Sequence, residues 1–76
     1  MKIQILGTGC AKCDKLYQNV QQAVADSKTD AVTEKVTDLG EIMTFGVMTT
    51  PALVIDGEVK VTGKVPSVED IKQMIQ

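Results

Sequence analysis

The chain has no tryptophan, no histidine and no arginine, so lysine supplies all eight of its basic residues. Without histidine, serine, cysteine or metal-dependent hydrolysis has no ordinary proton acceptor beyond carboxylates and lysines. Without arginine there is no bidentate fork for phosphates or base edges, and with a formal net charge of −2 nucleic acid is not an expected partner. Long hydrophobic runs are also missing. Ile3, Ile5 and Leu6 fall far short of a signal peptide's apolar core, and no stretch approaches the roughly 20 apolar residues of a membrane span. The expectation is therefore a cytosolic chain with no membrane partner. Cysteine occurs only twice, at Cys10 and Cys13. In a reducing compartment so close a pair points to catalysis or metal binding, because a staple across so short a loop adds little stability.

What is present is a 76-residue chain, 43% apolar and without low-complexity tracts, which reads as a single domain over 1–76 and is expected to act as a monomer. At this size net stability is only a few kcal/mol, so every element must pack.

Met1 to Leu6 alternates Ile3 and Ile5 with Lys2 and Gln4, the pattern of a largely buried strand closed by Gly7-Thr8-Gly9. Leu16, Tyr17, Val20, Ala23 and Val24 then recur at helical spacing to about Ser27. Val32 to Thr37 predicts a second strand, whose charged Glu34 and Lys35 suit a sheet edge. Asp38 with Glu41 predicts a reciprocal helix cap, with Leu39, Ile42, Met43 and Phe45 facing inward and Gly46 as the stop. Asp56-Gly57 between Ala52–Ile55 and Glu58–Thr62 predicts a two-residue hairpin. Ser67 caps a last helix that carries Val68, Ile71, Met74 and Ile75. The order is β-α-β-α-β-β-α. A strand, crossover helix and second strand form a right-handed parallel unit, while the hairpin is antiparallel, so the fold class is α/β with a four-stranded mixed sheet and helices on both faces.

The chemistry concentrates in Cys10-Ala11-Lys12-Cys13, between the first strand and the first helix. A helix N-terminus has unpaired N–H groups and partial positive charge, which favour a thiolate. Cys10 is the candidate nucleophile, and Cys13, about one turn on, can attack a mixed disulfide and release the bound thiol. Two-coordinate copper(I) is the alternative occupant; a closed tetrahedral zinc site lacks ligands in one chain. Both cysteines as small buried hydrophobes is the bland reading.

Lys12 offers the dithiol about one kcal/mol or less of electrostatic help and reads as a solvated lysine. Tyr17 reads as core, and Met43 and Met48 as gap fillers or a soft apolar surface, Met48 being the better surface candidate. Gly7-x-Gly9 lacks the third glycine of a dinucleotide fingerprint and reads as bending the loop. Thr50-Pro51 stands just before the hairpin, and composition alone favours a trans bond, since only about 5–6% of X–Pro bonds are cis.

Taken together, strand-Gly-Thr-Gly-Cys10-Ala-Lys-Cys13-helix, Met48-Thr49-Thr50-Pro51 opening the hairpin, and Leu53-Val54-Ile55-Asp56-Gly57-Glu58 leading to Gly63 and the final helix resemble the thioredoxin and glutaredoxin superfamily. The likeness spans nearly the whole chain and is greatest to small thioredoxin-like proteins without the extra N-terminal strand and helix. The resemblance implies a dithiol oxidoreductase acting on disulfide-containing proteins, recharged by a thioredoxin-reductase-like electron donor. It needs no tightly bound cofactor beyond a reversible Cys10–Cys13 disulfide. It also implies a cis peptide before Pro51 packed against the cysteine pair, with Thr50 offering backbone hydrogen bonds to substrate; Met48, the surface candidate near Pro51, is the further substrate-binding residue expected from the residues themselves. Gly9 and Ala11-Lys12 replace the tryptophan and Gly-Pro usual in thioredoxins. Gln4 stands near the place of their buried acid, and the tyrosine and basic residues of glutathione-using relatives are not matched. Copper-chaperone-like domains also place C-x-x-C after their first strand, but run β-α-β-β-α-β. A scaffold that keeps the fold with little catalytic flux is the third possibility.

Overall fold

The computed structural model describes residues 1–9 and 11–75. The elements are β1 (Lys2–Leu6), α1 (Ala11–Ser27), β2 (Val32–Val36), α2 (Leu39–Thr44), β3 (Ala52–Ile55), β4 (Glu58–Thr62) and α3 (Val68–Met74), in the expected order. They build one four-stranded sheet in the order β2-β1-β3-β4. β1 runs parallel to β2, from Lys2 opposite Val32 to Leu6 opposite Val36, and antiparallel to β3, from Ile3 opposite Ile55 to Leu6 opposite Ala52. β3 and β4 are antiparallel, with a register shift at Leu53/Val54.

The two apolar strands take the centre and the two charged ones the edges. All four residues of β3 are buried, whereas β2 shows solvent its Glu34 and Lys35. Edge charges of this kind discourage pairing with a further strand.

Alternation along β1 sends Ile3 and Ile5 to one face of the sheet and Leu6 to the other. The first face is covered by Leu16, Val20 and Ala23 of α1 and by Ile71 and Ile75 from the α3 end, with Leu53 and Ile55 completing the cluster. On the second face Leu6, Val36, Ala52 and Val54 meet Ile42 and Val47. Helices therefore lie on both faces, but unequally: α1 is 17 residues long and α2 only 6.

That brevity corrects one expectation. Ile42 is buried and Phe45 packs beside it, but Leu39 and Met43 are 60% and 65% exposed. A helix of under two turns presents one narrow stripe, and the positions either side of it face water. The cap also differs from the reciprocal box. Asp38 Oδ1 accepts from Gly40 N–H at 2.8 Å rather than from Glu41. At α3, Ser67 accepts from Asp70 N–H at 3.2 Å as the spacing predicts.

The hairpin turn has Asp56 at φ 51° and Gly57 at φ 83°, the pair of left-handed residues that a tight primed turn requires. Asp56 also binds the start of β1, accepting from Lys2 N–H through Oδ1 and donating its own N–H to Lys2 O, both at 2.8 Å. No helix among the described residues is long and apolar enough to cross a membrane.

Candidate functional site

β1 ends at a three-residue loop, Gly7-Thr8-Gly9, that delivers the chain to α1. Cys10, expected as nucleophile, lies outside the described residues. Because α1 opens at Ala11, Cys13 falls in its first turn, with Asp14 next to it. An acidic residue there complements the partial positive charge of the helix start. Cys13 is buried, 5% exposed, and disulfide-bonded.

The two loop glycines serve different ends. Gly9 has φ +92°, a left-handed conformation that bends the loop as expected. Gly7 does not adopt that region; its N–H extends the β1–β2 ladder by donating to Val36 O at 3.0 Å. What Gly7 provides is space. A Cβ built on it would overlap Cys13 Sγ and stand 3.0 Å from Cys13 Cβ.

On this side of the loop a small cavity of about 60 Å³ is lined by Ile5, Gly7, Gly9, Cys13, Asp14 and Lys35, among others. Asp14 Oδ1 and Lys35 Nζ are 4.0 Å apart, and the same ammonium stands 4.4 Å from the centre of the Tyr17 ring. Both partners of the ion pair are about half exposed, so it contributes little to stability. Tyr17 packs against the α1 core cluster, as its place on the apolar stripe predicts, and Lys12 is exposed.

Gln4 occupies the other face of β1. Its amide donates to Glu34 Oε1 at 3.3 Å, and the residue of β1 that reaches the Cys13 cavity is the apolar Ile5. Among the described residues, the titratable side chains lining the cavity beside Cys13 are those of Asp14 and Lys35.

Across the loop lies a wider groove of about 230 Å³, where Thr8 meets Thr50, Met48, Met43, Ile42 and Val47. The Thr50–Pro51 peptide is cis, as the resemblance implies and contrary to the composition-based expectation of trans. Pro51 is buried and its carbonyl accepts from Gly63 N–H at 2.8 Å, which anchors the segment to the far end of the hairpin. Thr50 is exposed, and its main chain forms no hydrogen bond to another described residue. Met48 is 96% exposed.

The fold thus brings Met48 and Thr50 to one side of the loop and Cys13 to the other. Sequence reasoning missed Asp14, Lys35 and the spatial demand on Gly7. The first two become neighbours only through the parallel pairing of β1 with β2. For Gly7 the sole sequence signal is a glycine just after a buried strand, which does not separate conformational need from steric need.

Comparison with known proteins agrees with this architecture. The family described as thioredoxin domain matches residues 1–76. A thioredoxin of Methanothermobacter thermautotrophicus is 44% identical over 75 residues, covering 99% of this chain and 97% of that protein. A thioredoxin of Methanocaldococcus jannaschii is 45% identical over 74 residues, covering 97% of this chain and 85% of that protein.

Proposed function

Because the chain belongs to the thioredoxin domain family and is a thiol–disulfide oxidoreductase of that family, we propose that Cys10 and Cys13 exchange disulfides with protein substrates and that a separate thioredoxin-reductase-like donor restores the dithiol. Cys10 thiolate attacks one sulfur of the substrate disulfide, forming a mixed disulfide and expelling the first substrate thiolate. Cys13 thiolate then attacks the Cys10 sulfur, closes the internal disulfide and expels the second. Two electrons pass from the dithiol to the substrate. The sulfur pair is itself the redox group, so the chemistry calls for no bound cofactor.

The observation that carries this reading is Cys13, buried, disulfide-bonded and seated in the first turn of α1 where a helix start favours thiolate. Thr50 and Met48 supply the recognition side. The main chain of Thr50, bonded to no other described residue, suits strand-like pairing with an extended substrate segment, and Met48 offers a soft apolar contact next to it. The reading also takes the protein to act in the cytoplasm, where a reducing environment keeps a close cysteine pair available for exchange.

Substitution of each sulfur tests the proposal. Cys10→Ser abolishes turnover of a protein disulfide, whereas Cys13→Ser accumulates a mixed disulfide that mass measurement detects. Turnover that persists in Cys10→Ser excludes the mechanism. A redox titration with thiol trapping, run with metal chelated and then with copper(I) supplied, separates exchange from chelation.

A further inference from the structure

We infer that Gly7 is a positioning residue for the exchange, and that its missing side chain sets the redox balance of the cysteine pair by seating the Cys13 sulfur. The inference rests on the dithiol reading above. It starts from the absence of any conformational need for glycine at this position: Gly7 is buried and outside the left-handed region, and its N–H is bonded to Val36 like an ordinary ladder residue. The volume a methyl would fill is taken by Cys13 Sγ, with Cys13 Cβ 3.0 Å away.

Neither side of this contact yields easily. β1 is held on both edges, Leu6 pairing with Val36 in β2 and with Ala52 in β3. Cys13 is a short side chain at the start of a helix whose Leu16 and Val20 are fully buried. A methyl at position 7 must therefore displace the sulfur or the first turn of α1, an overpacking that close-packed interiors resist.

The two redox states feel that methyl unequally. A free Cys13 thiol can rotate about χ1 to another staggered position. A disulfide-bonded sulfur is held at both ends and cannot turn away. The penalty falls on the oxidised form, so glycine at position 7 favours the disulfide and any larger residue favours the dithiol. In the measured reaction, internal disulfide plus two glutathione thiols gives dithiol plus one glutathione disulfide, with two electrons passing to the protein.

The test equilibrates the full chain and Gly7→Ala with mixtures of glutathione and its disulfide, quenches with acid and counts trapped thiols by mass. Gly7→Ala lowers the equilibrium constant for forming the internal disulfide by about tenfold or more, whereas a constant within about twofold of the parent's overturns the inference. Thermal unfolding supplies the second reading, because Gly7→Ala lowers Tm more in the oxidised than in the reduced protein, the oxidised drop being roughly 10 °C. Should Gly7→Ala fail to fold in either state, the double variant Gly7→Ala/Cys13→Ala decides. Recovered folding once the sulfur is gone upholds the contact, and no recovery refutes it. A parent protein whose cysteines never link at any glutathione ratio refutes the dithiol reading itself, an outcome distinct from a linked pair indifferent to position 7.

Discussion

The two faces of the sheet are built to different standards of closure, and the Gly7-Thr8-Gly9 loop is where they meet. On the α1 face, a long helix and α3 bury a continuous cluster, the space beside Cys13 amounts to about 60 Å³, and one sulfur sits where a methyl has no room. On the α2 face a six-residue helix buries only Ile42, while Leu39, Met43 and Met48 face solvent around a groove of about 230 Å³. The contrast teaches a division of labour. A sulfur that must meet another within bonding distance gains from walls that do not move. On the proposed function, a surface that accepts varied polypeptides gains from adaptable, exposed methionines and from the Thr50 main chain, which bonds to no other described residue.

The comparison breaks first where the packing is tightest. Leu16→Ala on α1 removes a fully buried side chain wedged between sheet and helices, and urea unfolding of the reduced protein should show a loss of about 4 kcal/mol. Ile42→Ala is the matching deletion on the looser face; its short, open helix can settle into the gap, so the same measurement should give about 2 kcal/mol. Equal losses would mean the two faces do not differ in rigidity. Asp38→Ala removes the side chain that accepts from Gly40 N–H at the start of α2 and should cost about 1 kcal/mol, read as a lower urea midpoint at constant slope. Met48→Ser should change stability by no more than about 0.5 kcal/mol yet raise KM for a protein disulfide about threefold, because a nearly fully exposed side chain supports binding rather than folding. An unaltered KM would remove Met48 from the recognition surface.

Much of this was legible in residue order. Period-two alternation marks β1, the helical stripe from Leu16 to Val24 marks α1, and Asp56-Gly57 marks the hairpin, because each signal is local and its period differs from the others. The edge position of β2 followed from its charges. The inward placing of Leu39 and Met43 failed because apolar character says nothing about how many residues a six-residue helix can cover. At the site, the cysteine spacing and the Thr50-Pro51 dipeptide were readable directly. The cis bond followed from resemblance and not from composition.

By itself, then, the order of residues determined which segments become strands and helices, which two strands are apolar enough for the centre, and that the two cysteines stand together between the first strand and the first helix. Those are properties of neighbours along the chain. Only the tertiary structure decided that Asp14 and Lys35 share the space beside Cys13, that Gln4 faces away from it, and that Gly7 is glycine for want of room rather than for want of φ freedom. Such facts depend on strand register and on the distance at which a helix docks, and both are settled by long-range packing.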